Sequence, residues 1–242
     1  MVANRGTRQA QFLKVGKSMA DQGGRLRRDI LRSAFAATAT AVLANCQTLP
    51  PFTLEEAVRR LLYRSTQRAF ARLTAPDGYW NETIRAAGLS RVLGLRGEMV
   101  TQALTSPLFR DRLEDAFADI ALDAADRSAP VVADAVRTLG IRNALAIVNG
   151  GPRAATGYLR SEMGSRLIES LFPEIGRVDA IVRDPLIGQF VEAMSGVDIS
   201  EVITNFSSRI EEFIWQEIGR EEAAIRANPV DTGDAAILAA FG

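Results

Sequence analysis

The sequence predicts an all-α, single-domain multi-helix bundle of about eight helices behind an N-terminal signal segment. Three observations carry this. Apolar residues recur at helical spacing over long segments. Those segments open on cap signals and close on Gly or Pro turns. Alternation of period two never persists, so no strand is predicted. The organisation reads as a targeting segment over 1–45, a short linker over 46–52 and a helical domain over 53–242.

Thr53-Leu54-Glu55-Glu56 is a capping box, with a hydroxyl N-cap and a carboxylate three residues on. Leu54, Ala57, Val58, Leu61, Leu62, Ala69 and Leu73 then mark one helical face, ending at Ala75-Pro76-Asp77-Gly78. A weaker segment crosses Ile84 to Leu104, interrupted by Gly88, Gly94 and Gly97. Pro107 opens a helix expected to end near Ser128, and Pro130 opens another over Val131–Leu139. Asn143–Val148 is a short helix before Asn149-Gly150-Gly151. Pro152 starts a helix running through Leu171, which Pro173 breaks. Glu174–Val182 and Leu186–Met194 read as short helices. Asp198 with Glu201 starts the clearest helix, and Asn228-Pro229 ends it. Ala235–Phe241 is a final short helix. The helices over 53–73 and 200–226 are expected to pair.

The composition excludes whole classes of chemistry. The 242 residues are 47% hydrophobic and 24% charged, an ordinary globular balance. No histidine is present, which removes Ser-His, Cys-His and His-metal mechanisms. One cysteine allows neither an intrachain disulfide nor a thiolate metal cluster. The lysines are Lys14 and Lys17, both in the head, so a mature chain has no lysine for a Schiff base. A Gly-x-Ser-x-Gly elbow and a phosphate-loop motif are absent. An enzyme would have to work with carboxylates, and the reading leans away from catalysis. No cofactor and no metal is expected. Glu211/Glu212, Glu217/Glu221 and Glu221/Glu222 are acidic pairs, read as a solvated face with Arg209 and Arg220 beside it.

The neutral net charge hides an asymmetry. Residues 1–18 hold four basic residues and no acid, whereas 46–242 hold 21 basic against 27 acidic residues. Arg25, Arg27, Arg28 and Arg32 precede the uncharged stretch Ser33–Ala44, which suits the apolar part of a signal peptide and is too short to span a bilayer. Arg27-Arg28-Asp29-Ile30-Leu31-Arg32 resembles the twin-arginine export pattern. An amphipathic N-terminal helix is the alternative, and Met19 is a candidate start. Cys46 follows Leu43-Ala44-Asn45 as in a lipobox, with Asn45 departing from the small residue expected there. Cys46 is thus either lipidated or a free or buried thiol. The expected location is the periplasm or the membrane-anchored envelope, with membrane contact only through a lipid anchor at Cys46.

Two turns concentrate polar chemistry. Asp77-Gly78-Tyr79-Trp80-Asn81 sets two amphipathic aromatics in a Gly turn. Asn149-Gly150-Gly151-Pro152-Arg153 offers free N–H groups at a helix start, where anions are favoured. Tyr158, Arg160, Arg226 and Asn228 join the candidate ligand-binding set with Asp77, Tyr79, Trp80, Asn81, Asn149, Gly150 and Gly151. Each turn also has a plain structural reading, as an aromatic-pinned loop or a helix corner. In that reading Arg226 pairs with Asp77 and locks the fold.

These turns, in order, resemble an uncharacterised bacterial family, domain of unknown function 4197 (DUF4197). The resemblance spans roughly 53–242. It rests on Asp77–Asn81, Ala124-Ala125-Asp126 to Pro130, Leu145–Gly151 followed by Ala154-Ala155-Thr156 and Tyr158, Phe172-Pro173, and Ile225-Arg226-Ala227-Asn228-Pro229 before a Phe-Gly end. Leu122-Asp123 stands where Asn-Arg is expected, and Val230–Asp234 replaces a basic stretch. The resemblance implies an exported envelope protein and assigns no activity. The expected partners are a small anionic ligand or an envelope protein, in a binding or accessory role with a small polar cleft. A structural interaction module and a carboxylate enzyme are the alternatives. Nucleic acid is not expected, because the mature chain is acidic and no basic stripe is expected in it.

Overall fold

The computed structural model describes residues 52–76, 78–95, 106–171, 185–193 and 198–242. Ten α-helices and one 3₁₀ turn make up the described residues, with no strand among them. In chain order they are α1 (Leu54–Leu73), α2 (Tyr79–Ala87), α3 (Leu89–Val92), α4 (Pro107–Thr138), α5 (Ala144–Val148), α6 (Ala154–Met163), α7 (Arg166–Leu171), α8 (Pro185–Ala193), α9 (Ile199–Ala227), the 3₁₀ turn Pro229–Thr232 and α10 (Ala235–Phe241). No described helix is long and apolar enough to cross a membrane.

Caps account for the starts. The Thr53 hydroxyl accepts from the Glu56 N–H at 3.1 Å, as the capping box requires. The Asn143 side chain caps α5, Asp198 caps α9 and Asp234 caps α10.

Three boundaries differ from the sequence expectation. α4 runs unbroken through Pro130, where two helices were expected. Pro130 and Asp126 both face solvent. The Asp126 carbonyl, which loses its i+4 donor at the proline, is therefore open to water. The helix expected from Pro152 begins instead at Ala154 and is cut at Gly164, separating α6 from α7. The weak segment expected from Ile84 starts earlier, at Tyr79, so Tyr79, Trp80 and Asn81 form the first turn of α2 and not a loop; its break at Gly88, with φ of 82°, falls where an interruption was expected. The helix expected over Glu174–Val182 lies outside the described residues, as do Cys46 and the 1–45 segment.

Residues 51–242 form one unit. α1 is its hub, packing along α9 and α4 and touching α10 and α5. The expected pairing of the first and last long helices is thus present. It is antiparallel. Arg72, near the end of α1, reaches Glu217 in mid-α9, while Arg60, near its start, reaches Asp234 beyond the end of α9. Leu61, Leu62 and Leu73 of α1 join Leu113 of α4 and Phe206, Ile210, Ile214 and Ile218 of α9 in the core. Full burial of each such side chain stabilises the fold by roughly 1.5–3 kcal/mol. The Phe117 and Phe206 rings meet at 5.0 Å.

Candidate functional site

The last turns of α9 hold a closed polar network. Glu222 is 0% exposed, on a helix face that also buries Ile214, Ile218 and Ile225. Its carboxylate accepts from the Ala155 N–H at 3.0 Å, the Thr156 N–H at 2.7 Å and the Thr156 hydroxyl at 2.7 Å. These donors are the first backbone groups of α6, so a side chain from α9 caps α6. Arg226, one turn on, donates its Nε to Glu222 at 2.8 Å. Its other nitrogens donate to the Val148 carbonyl at 3.1 Å and the Ile147 carbonyl at 3.0 Å, at the end of α5. The Phe241 ring covers the guanidinium at 4.6 Å.

Gly150 lets the α5–α6 turn close. A Cβ there would lie 3.0 Å from the Ala146 carbonyl and closer still to Ala154. The α6 start, expected to receive an anion, therefore already holds one from within the chain.

A second, more open cluster gathers at Glu217. Glu217 is 5% exposed, and its carboxylate accepts from Arg220 at 2.6 Å. Arg72 of α1 approaches the same oxygen at 3.5 Å, and the Tyr79 hydroxyl donates to the other at 3.4 Å. Arg72 also lies over the Tyr79 ring at 5.6 Å. The two arginine side chains are about half exposed, so the cluster has a wet side and a dry side. Burial, with Glu217 beside it, raises the Tyr79 pKa above its ordinary value of 10.0.

The candidate residues divide between these places. Trp80 is buried, donates its Nε1 to the Leu73 carbonyl at 2.8 Å, and stacks edgewise on Tyr79. Asn81 donates to Asp115 of α4 at 2.7 Å. The Tyr158 hydroxyl donates to the Gly140 carbonyl at 2.6 Å, and Arg160 pairs with Glu212 at 3.0 Å. Asn149 is the C-cap of α5, with Gly150 and Gly151 exposed after it. Asn228 is the C-cap of α9 and bonds Asp231. Asp77 lies outside the described residues.

Arg226 and the Asn149–Gly151 turn are thus brought together, and Tyr79 is not with them. Both turns reach α9, but at different levels. Glu217 and Arg226 are nine residues apart, which is about 13.5 Å along the helix and half a turn around it. Arg153 bridges part of that interval, with its stem laid over Gly219.

The solvated-face reading of the acidic pairs does not hold for Glu217 and Glu222, which are both buried. The sequence carried a signal for this. Ile210, Ile214, Ile218 and Glu222 follow at i+4 steps, with Ile225 three further on. A carboxylate inside an apolar stripe needs a buried partner, and Arg226 stands at i+4. Glu217 is likewise three residues after Ile214. Arg72 and Thr156 carried no comparable signal, because their partners come from a distant helix. Among the described residues, no group of three or more acidic or thiol side chains is placed to hold a metal ion.

The family model described as a protein of unknown function, DUF4197, matches residues 48–242. No curated protein and no solved structure matches the chain.

Proposed function

The chain belongs to the DUF4197 family, and from that premise we propose an exported cell-envelope protein that serves as a binding or accessory domain. The basic, apolar, small-residue order of residues 25–46 supports export by the twin-arginine route, ending in the periplasm or on a lipid anchor at Cys46. The observation that carries the binding role is the contrast between the two clusters on α9. At Glu222 every contact lies between 2.7 and 3.1 Å and water is excluded. At Glu217 Arg220 is held at 2.6 Å, but the Arg72 and Tyr79 contacts are 3.4–3.5 Å, and both guanidiniums face solvent. A small anion binds there by drawing Arg72 and Arg220 into bidentate contacts. Tyr79 forms the wall.

Titration of the full chain with inorganic phosphate tests this. Phosphate raises the melting temperature of the parent and leaves that of the Arg72→Gln/Arg220→Gln variant unmoved. Arg226→Gln keeps the phosphate shift from a lower starting point. A shift that survives in the double variant, or disappears only in Arg226→Gln, rejects the assignment. A second reading, a partner-protein module, is favoured by Leu108, Leu145 and Val230, which stay largely exposed on three separate elements.

A further inference from the structure

We infer that the outer face of α1 docks on an anionic phospholipid surface. The inference rests on the envelope location proposed above and adds the surface the domain uses there. Between residues 57 and 76 the chain holds five arginines and no acid: Arg59, Arg60, Arg64, Arg68 and Arg72. The last four follow at i+4 steps, one helical turn or about 6 Å each, and drift through about 120° of the helix circumference. Arg64 and Arg68 of this arc are exposed, on the side away from the buried Leu62, Ala69 and Leu73.

The sequence-level expectation of no basic stripe does not survive here, because the acidic total of the body conceals this local run. The ends of the ladder have acidic partners within the fold. Arg60 pairs with Glu56 and Asp234, and Arg72 shares Glu217 with Arg220. The middle differs. Arg64 and Arg68 are exposed and have no acidic partner among the described residues. Tyr63, 44% exposed, flanks the ladder beside Arg60 and adds an amphipathic ring of the kind that sits at a lipid headgroup level.

Chain length selects a membrane as the occupant. Cys46 precedes Leu54 by eight residues, at most about 28 Å of extended chain. A lipid anchor at Cys46 would hold α1 within that distance of headgroup phosphates. Stable membrane attachment takes two signals, and a polybasic patch is one that complements an acyl chain.

Co-sedimentation of the unlipidated full chain tests the inference. The vesicles are equimolar phosphatidylglycerol and phosphatidylcholine, or phosphatidylcholine alone. The parent binds the anionic vesicles, and 0.5 M salt releases it. Arg64→Gln/Arg68→Gln lowers the partition coefficient about thirtyfold, near fivefold for each surface cation. Its circular dichroism is unchanged, since both side chains are exposed. Arg27→Gln/Arg28→Gln, made in parallel, measures the share of the leader, and the thirtyfold drop persists on that background. Binding of the α1 variant within twofold of the parent overturns the inference, as does equal binding to neutral vesicles. Loss of affinity for soluble polyphosphate but not for vesicles also overturns it and makes the ladder a site for a free polyanion. Vesicle binding is read without reference to export. A processed, exported protein with an α1-independent vesicle affinity therefore defeats this inference alone, and a cytoplasmic, unprocessed chain defeats the location alone.

Discussion

Replacing Arg226 by Gln asks what holds the end of α9. In the parent, Arg226 is one side of a pair whose acid is fully buried, and it also serves two carbonyls at the end of α5. Removing one partner of a buried pair leaves the other charge without compensation, at a cost of about 3–5 kcal/mol. Glu222 keeps its three contacts to Ala155 and Thr156, which holds the loss below that of a bare buried carboxylate. Domains of this kind have total stabilities of roughly 5–15 kcal/mol, so the loss is a large share. At roughly 2–4 °C per kcal/mol for a chain this long, the melting temperature falls by about 6–20 °C. Urea unfolding followed by circular dichroism measures it: the midpoint drops and the slope stays constant. Adding Glu222→Gln to the variant costs less than the two single losses together, because the pair is already broken. A loss below about 1 kcal/mol, or strict additivity in that cycle, would refute the view that Glu222 and Arg226 form one structural lock.

Three further outcomes follow from single contacts. The folded protein holds the Tyr79 proton more tightly than the unfolded chain does, so stability is constant in this respect below pH 10 and falls as pH rises beyond it. Tyr79→Phe removes that alkaline slope, measured by urea melts between pH 8 and 11. Gly94→Ala destabilises by more than about 1 kcal/mol, because φ is 70° and the new Cβ collides with the Asn205 side chain. Asn205→Ala on that background recovers the collision part only. Pro130→Ala restores the N–H donor inside α4 and raises stability by about 1–2 kcal/mol after the lost rigidity of the unfolded chain is counted. A lower midpoint would mean that Pro130 sets a bend the neighbours of α4 require.

Helix type and extent were legible wherever the apolar stripe was long. α1 and α9 show this, since their caps and stripes are local and period 3.6 runs for five turns or more. Pro130 misled because a proline rule speaks of hydrogen bonds, while the outcome depends on which face the orphaned carbonyl occupies. That face is fixed by packing against α1 and α2. The candidate site was legible in its parts. Arg226 and the Asn149 turn do meet, because a cation near a helix end and a Gly turn with exposed carbonyls are complementary. The identity of the anion was not legible. It is Glu222, and choosing it over a ligand required knowing that α6 starts against α9. Arg72 at Glu217 depends in the same way on the antiparallel register of α1 and α9, which no local pattern encodes.

Export is the claim on which the proposed role depends, and the N-terminus of the protein recovered from its own cells tests it most directly. Edman sequencing or intact mass of the fractionated protein should give an envelope-located chain beginning near residue 45 or 46. Recovery of a cytoplasmic chain that still carries Arg27 and Arg28 would contradict the account.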